Sequence, residues 1–318
     1  MKALKKRIKK YFKTMKYETK KELCKNWRLY VLIILPVVYL IIFKYSSMYW
    51  LQIAFKDYDI AKGINGSKWV GLEHFKRFVT SYQFWKLLKN TLLLSFYQLV
   101  ASFPLPIILA LSINYARSKF YKKTAQMITY APHFISVVVI VGMMYQFFGT
   151  RFGLVNSVIK LFGGSPIDFM GNPRSFRHMY VWSSVWQNVG YSAIIYIAAL
   201  AAIPPELHEA AVVDGASKLK RMIHVDLPGL LPTAVIILIM NVGKILNIGF
   251  EKALLLQNPM NVSQSEIIAT FVYKIGLTST MPNFSYPAAI GLFQSFIAFI
   301  LVITVNKISR KFSETSLW

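Results

Sequence analysis

The chain has 318 residues, of which 55% are hydrophobic and only 16% are charged, and these proportions exclude an ordinary soluble domain. It carries 37 Lys and Arg residues against 13 Asp and Glu residues, a net charge of +24. The basic residues flank apolar runs, which is typical of an integral membrane protein with basic cytoplasmic loops and disfavours a nucleic-acid binder. The single cysteine, Cys24, excludes an internal disulfide and any cysteine metal cluster.

Six charge-poor runs are long enough to cross a bilayer as helices, and they predict an all-α polytopic membrane protein. The predicted spans are approximately Leu29–Leu51, Thr91–Asn114, Thr124–Phe148, His178–Ala202, Leu230–Phe250 and Tyr286–Asn306. Basic residues concentrate in residues 1–28, in the loop 115–123 and after the last span. With six spans these three segments lie on one side, so both termini are expected in the cytoplasm.

This topology divides the chain into a basic cytoplasmic tail, residues 1–28, and one membrane domain, residues 29–318, with an external loop at about 52–90 and a cytoplasmic loop at about 203–229. The first span lacks a signal-peptidase site and is expected to be retained. Apolar residues recur at helical spacing in the tail, so it either lies on an anionic membrane surface or is solvated and partly disordered.

The sequence lacks the usual catalytic motifs. It has no phosphate-binding loop of the form G-x-x-x-x-G-K-[ST], so we expect no ATP hydrolysis by this chain itself. Its five histidines share no metal-binding spacing, and we expect no metal or other cofactor in this chain. Acidic residues are absent from predicted spans two, three, four and six, which disfavours a proton relay built from buried carboxylates.

The loop between predicted spans four and five has a distinctive internal order. Pro204 and Pro205 end the preceding span and favour the start of a new helix over residues 206–213. Asp214 and Gly215 are expected to end that helix, since glycine tolerates the left-handed conformation at a helix exit. Ser217 is a predicted N-cap for a second short helix. The segment is therefore expected to be a bent helix pair; the alternative is a plain amphipathic hairpin at the interface.

The same loop carries a family signature. Glu209-Ala210-Ala211, then Gly215 after three residues, then Val225 after nine, then Leu227-Pro228 after one resembles the E-A-A-x3-G-x9-I-x-L-P pattern of permease subunits of binding-protein-dependent ABC importers, with Val in place of Ile. Weaker stretches resemble the carbohydrate branch, and in particular permeases for rhamnogalacturonan or polygalacturonan and for aldouronate. They are residues 69–75, 84–85, 90–91, 247–259, 266–273 and 289–295.

The resemblance implies a type I importer fold in a bacterial cytoplasmic membrane. It also implies partners: a second similar permease, two ATPase subunits that bind ATP and magnesium, an extracytoplasmic binding protein and an oligosaccharide. On this interpretation the loop couples to the ATPases through Glu209, Ala210, Ala211, Asp214, Gly215 and Ala216. A solvated surface charge is the alternative for Glu209.

Polar residues within the spans are candidates for the sugar pathway, because a sugar presents hydroxyl edges and apolar faces. In span five, Asn241, Lys244, Asn247 or Ile248, and Glu251 are expected on one helix face, and an ionisable Lys244 at that depth is a functional candidate. The resemblance implies pectin- or xylan-derived oligosaccharides, many of which bear uronates, and the ammonium of Lys244 would favour such an acidic substrate. Further candidates are Gln187, Asn188, Tyr191 and Gln294. A structural pairing of Lys244 and ordinary helix contacts for the others remain alternatives.

Two other classes of protein compete with the importer interpretation. A membrane-embedded glycan or lipid transferase would need paired acids or histidines near one interface, which the sequence lacks. A scaffold that binds anionic lipid would need only the basic tail, but it leaves the spacing of the 203–229 loop unexplained.

Overall fold

The computed structural model describes residues 25–279 and 283–312, and helices dominate this part of the chain. Most of the predicted basic tail, residues 1–24, lies outside the described residues. Contacts divide the chain into two units, Met1–Val70 and Gly71–Trp318. The boundary falls inside the predicted external loop.

The first unit contains one apolar span and a small loop structure. Its span, Trp27–Phe55, is fully exposed along its apolar stretch, as suits a helix immersed in hydrocarbon. The elements are α1 (Trp27–Leu40), a π-turn (Ile41–Tyr45), α2 (Ser46–Trp50), a 3-10 turn (Leu51–Phe55), β1 (Lys56–Asp57), α3 (Gly63–Gly66) and β2 (Lys68–Trp69). The two strands pair antiparallel, with Lys56 opposite Trp69.

The second unit contains the other spans and the short helices between them. Its first half consists of α4 (Glu73–Val79), α5 (Phe84–Ser102), α6 (Pro104–Tyr115), α7 (Lys119–Tyr130), a 3-10 turn (Ala131–Phe134), α8 (Val137–Phe148) and α9 (Leu154–Leu161). Its second half consists of α10 (Pro173–Ala201), α11 (Pro205–Val213), α12 (Lys218–Arg221), a π-turn (Met222–Asp226), α13 (Leu227–Gly243), α14 (Phe250–Leu256), α15 (Val262–Ser265), α16 (Ile268–Tyr273), a π-turn (Lys274–Thr278) and α17 (Ser285–Phe312).

Helix α10 lies at the centre of this unit and packs against α5, α6, α7 and α13. It starts at Asn172, whose side chain accepts a hydrogen bond from the backbone N–H of Arg174, with Pro173 in the first helical position. Gly190 allows α7 to approach closely, since a Cβ there would lie 2.1 Å from the carbonyl oxygen of Thr129. The core of the unit therefore depends on a residue without a side chain at this crossing.

The described residues contain four to six candidate spans, at approximately the positions predicted. Within the part of the chain that the structure describes, four helical stretches are long and apolar enough to cross a membrane, namely Trp27–Phe55, Phe84–Tyr115, Lys218–Gly243 and Ser285–Arg310. Two bent helix pairs bring the count to six if each pair is taken as one span. One pair joins Lys119–Phe134 to Val137–Phe148 with a bend of 100°, and the other joins Pro173–Ala201 to Pro205–Val213 with a bend of 69°.

The predicted end of span five is wrong. The helix ends at Gly243, Lys244 adopts a non-helical conformation with φ −98° and ψ 4°, and the chain becomes helical again only at Phe250. Asn241, Lys244 and Asn247 therefore do not share one continuous helix face. Their proximity to one another comes from a turn, in which the N–H of Asn247 bonds the carbonyl of Lys244 at 2.8 Å.

Candidate translocation cavity and coupling loop

A cavity of about 350 Å³ lies between α5, α6, α10 and α13. This volume is within the range of small-ligand sites. None of the residues that line it is acidic, and its polar lining residues are Gln98, Ser102, Ser184, Asn188, Tyr191, Ser192, Tyr196, Asn241 and Lys244. Hydroxyl and amide groups with one cation make this lining suitable for a polyhydroxylated ligand that carries negative charge.

The structure brings five of the seven predicted pathway residues together. Asn188, Tyr191, Asn241 and Lys244 line the cavity. Asn247 lines a smaller cavity of about 160 Å³ that shares Asn241 and Lys244 with the first. Lys244 is exposed in the turn after Gly243 and lines both cavities.

The other two predicted pathway residues, Gln187 and Gln294, are buried and make structural hydrogen bonds. The amide of Gln187 donates to the carbonyl of Ile135 at 2.9 Å, across the break in the third span. The amide of Gln294 donates to the carbonyl of Leu246 at 2.9 Å, which fixes the turn that follows span five. Neither side chain lines the large cavity.

Lys252 is a buried cation that the sequence argument did not single out. Only 5% of it is exposed, and its Nζ lies 3.0 Å from Oγ of Ser184, 3.4 Å from Oγ of Ser183 and 3.3 Å from Oε1 of Gln187. Within the described residues it forms no ion pair with a carboxylate. In the sequence, Lys252 could have been identified as a lysine that directly follows the fifth apolar run, on a short amphipathic stretch.

His133 is a second residue that the sequence argument missed. It lies in the 3-10 turn at the break of the third span, after Pro132. Its ring stacks on that of Tyr191 with centroids 3.9 Å apart and an angle of 6°, and its Nδ1 lies 2.9 Å from Oδ1 of Asn188. The amide of Asn188 also donates to the carbonyl of Ser184 at 2.9 Å. His133 therefore holds two cavity residues in place; a proline inside an apolar run is the signal for such a break.

The predicted first helix of the 203–229 loop is confirmed, whereas the predicted second short helix is the beginning of the continuous helical stretch Lys218–Gly243. Helix α11 ends in a Schellman arrangement, because the N–H of Ala216 bonds the carbonyl of Ala211 at 2.8 Å and that of Gly215 bonds the carbonyl of Val212 at 3.0 Å. Gly215 has φ +72°, the left-handed value that favours glycine. Ser217 caps α12 by accepting from the N–H of Lys220.

The predicted coupling residues lie on an accessible surface of this unit. Glu209, Ala210, Asp214 and Gly215 are exposed, and Ala211 and Ala216 are half-buried. Ala211 and Ala216 also line a shallow recess of about 350 Å³ with Lys220, Arg221, His224 and Val225. Large apolar side chains are exposed beside them, among them Val213 at 86% and Leu219 at 62%. Such a mixed apolar and charged surface suits insertion into a partner's cleft.

The described residues contain no group of three or more His, Cys, Asp or Glu side chains that could hold a metal ion. Asp226 and Glu266 are carboxylates with several polar neighbours, and both take part in structural contacts. Glu266 pairs with Lys86 and Lys274, both at 3.3 Å.

Together, the bent spans, the polar cavity and the projecting helix pair define a membrane permease of the importer type.

Residues 90–314 match the family described as the binding-protein-dependent transport system inner membrane component. The chain belongs to this family and is a permease subunit of an ABC transport system. In Bacillus subtilis (strain 168), the polygalacturonan/rhamnogalacturonan transport system permease protein YteP is 41% identical over 91% of this chain and 90% of its own length. Protein LplB of the same organism is 40% identical over 91% of both chains.

A solved structure is also similar to this chain. One chain of a bacterial alginate ABC transporter, crystallised with an alginate pentasaccharide-bound periplasmic protein, superposes with a TM-score of 0.85. The two chains are 35% identical, and the match covers 93% of this chain and 99% of that one. The type I importer fold expected from the loop signature is thereby confirmed, and these matches give no support to the transferase alternative.

Proposed function

We propose that this chain imports acidic oligosaccharides, derived from plant polysaccharides such as pectin or xylan, across a bacterial cytoplasmic membrane. The observation that carries the proposal is the absence of acidic residues from the lining of a polar cavity that contains Lys244. A substrate carboxylate in a partly dehydrated site gains more from an ammonium group than a neutral hydroxyl does. Lys252, behind Ser184, adds a second positive charge to the same wall.

The relatives support the same substrate class. YteP is described by transport of polygalacturonan and rhamnogalacturonan, and a second structure of the alginate system is described as importing an acidic polysaccharide. That second structure has a TM-score of 0.83 and 35% identity to this chain. Galacturonan and alginate share uronate carboxylates, which is the chemical feature that a cationic cavity would select.

In the proposed transporter this chain pairs with a second permease, two ATPase subunits and an extracytoplasmic binding protein. ATP and magnesium bind to the ATPase subunits, and this chain has no ATPase site of its own. Both termini lie in the cytoplasm, because the basic flanks of the spans are on that side. Glu209, Ala210, Ala211, Asp214, Gly215 and Ala216 form the contact through which ATP-driven movement reaches the membrane helices.

The test is uptake by proteoliposomes that contain the complete transporter and its binding protein. Trigalacturonate and an alginate trisaccharide are compared with a neutral arabinotriose. We expect import of at least one acidic trisaccharide and, in Lys244→Met, a loss of about tenfold for that substrate, equivalent to about 1.4 kcal/mol of binding or transition-state energy. The matched control is Lys160→Met, since Lys160 lies on α9 away from the cavity. Import of the neutral sugar alone would contradict the proposal.

A further inference from the structure

Asp226 is a fully buried carboxylate on the cytoplasmic side of the second unit, with 0% of its surface exposed. The hydroxyl of Tyr115, the last residue of α6, donates to its Oδ2 at 2.5 Å. Nε2 of His208, on α11, lies 3.2 Å from its Oδ1 at ion-pair distance, although the angles are not those of a hydrogen bond. One carboxylate thus contacts two helices that are separate from its own.

The position of Asp226 along the chain connects these contacts to the cavity. It is the last residue of the π-turn Met222–Asp226, which lies inside the continuous helical stretch Lys218–Gly243. This stretch of 26 residues is about 39 Å long at 1.5 Å per residue, so it runs from the coupling segment to the cavity residue Asn241 without a break. π-turns inside α-helices are frequent at functional positions.

Helix α11 lacks such a continuous connection. It follows α10 after a 69° bend, and it ends at Gly215 in the left-handed turn. Apart from these two chain connections, His208 gives α11 an electrostatic link to the long helix. Since a buried carboxylate that loses its partners is strongly destabilised, the link resists separation.

We propose that Asp226 is a positioning residue that clamps α11 to α6 and α13, so that the three helices move as one body when ATPase subunits displace α11. This inference rests on the proposed role of the 203–229 loop in coupling. Through α13 the displacement reaches Asn241 and Lys244, and through α6 it reaches Pro106, which also lines the cavity. Arg221, whose buried Nε has no hydrogen-bond partner among the described residues, is a further charged group beside Tyr115 in this cluster.

The first test measures the clamp directly and needs no knowledge of the sugar. Spin labels are attached at Glu206→Cys on α11 and Ser112→Cys on α6, both exposed positions, in a complete transporter whose Cys24 is replaced by Ser. Their distance distribution is recorded with and without ATP and vanadate. We expect one narrow distribution under both conditions in the otherwise unchanged chain. Asp226→Asn should broaden the distribution and make it dependent on nucleotide. Equal widths in both proteins would overturn the proposal.

The second test measures sugar imported per ATP hydrolysed. We expect this ratio to fall about fivefold or more in Asp226→Asn and in His208→Asn, which is within the range of typical coupling energies. The double variant should show the same fall as either single variant, because both substitutions remove the same interaction. Tyr115→Phe removes a single hydroxyl and serves as the mild variant if Asp226→Asn fails to fold. His178→Gln is the matched control, because His178 contacts Tyr97 and lines neither the large polar cavity nor the recess of the 203–229 loop.

The outcomes separate the clamp from the coupling role itself. If the effects of His208→Asn and Asp226→Asn multiply, or if the ratio is unchanged, the clamp is overturned. If Gly215→Val leaves uptake and ATPase association normal, the coupling assignment of the loop fails, whatever the labels report. A narrow distribution that broadens only when the His208–Asp226 contact is removed supports the clamp on its own.

Discussion

Nζ of the buried Lys252 lies 3.0 Å from Oγ of Ser184, and Ser184 also lines the large polar cavity. The cation is thus separated from the cavity by a single hydroxyl-bearing side chain. Because the described neighbours of Nζ are neutral, its charge is not cancelled by a carboxylate of the described residues. This wall of the cavity therefore contains a lysine ammonium group with no described carboxylate beside it.

Replacing Lys252 should reduce uptake of acidic sugars selectively. At about 10 Å and an effective dielectric constant of about 20, an ammonium and a carboxylate attract by about 1.7 kcal/mol, so Lys252→Met should lower uptake of trigalacturonate roughly tenfold or more. Lys252→Gln keeps hydrogen bonding but removes the charge, and it should behave like Lys252→Met. Initial uptake rates in proteoliposomes provide the measurement. Full activity in Lys252→Gln would show that hydrogen bonding, not charge, is what matters.

Gly190→Ala should destabilise the second unit. The new Cβ would lie 2.1 Å from the carbonyl oxygen of Thr129, and backbone cannot yield cheaply, so we expect a loss of about 3 kcal/mol. Thermal unfolding of the purified chain in detergent reports the change. Gly142→Ala is the matched control: it is also a helix interior position, a Cβ there meets nothing within 4 Å, and alanine should stabilise by up to about 1 kcal/mol. Equal melting temperatures for the two variants would refute the close-packing argument.

Gly215→Val should uncouple transport while leaving the protein in the membrane. A β-branched residue at φ +72° is strained by about 1–3 kcal/mol, which favours a different exit from α11. Uptake and co-purification of the ATPase subunits are the measurements, with membrane abundance as the check on folding. Gly215→Asn is the control, since asparagine tolerates this conformation better than other side chains. Loss of uptake in the Asn variant together with normal uptake in the Val variant would contradict the explanation.

The sequence predicted the membrane helices well because their signal is compositional. Runs such as 286–306 carry almost no charge, and hydrocarbon solvation alone assigns them. The helix boundaries of the 203–229 loop were predictable for a different reason. Pro205 fixes its own φ, Gly215 tolerates a positive φ and Ser217 caps a helix with its side chain, and the structure places each at the expected helix boundary.

The site was less predictable because it depends on contacts between distant segments. Helical periodicity extended span five through Lys244, whereas the chain leaves the helix at Gly243 and is held there by Gln294 from the last span. Gln187 and Lys252 are 65 residues apart, and nothing local in either segment indicates that they meet. Polar residues inside spans can thus be identified from sequence, but whether each faces the cavity or binds another helix requires the tertiary structure.

His133 should tune the affinity for sugar without distinguishing acidic from neutral substrates. Its imidazole stacks on Tyr191 and holds the amide oxygen of Asn188, so its loss frees two cavity side chains but removes no charge that faces the cavity. His133→Ala should raise KM for acidic and neutral sugars alike by about tenfold, since mispositioned polar groups lose roughly 1–2 kcal/mol of binding.

Two further variants separate the contributions of His133. His133→Phe keeps a ring for stacking but loses the hydrogen bond to Asn188, and His133→Gln keeps a donor but loses the ring. We expect each to raise KM by less than His133→Ala does, because each retains one of the two contacts. Initial uptake rates over a range of sugar concentrations give KM separately from the maximal rate. An unchanged KM in His133→Ala, or a change confined to acidic sugars, would mean that the ring does not position Asn188 and Tyr191 for substrate.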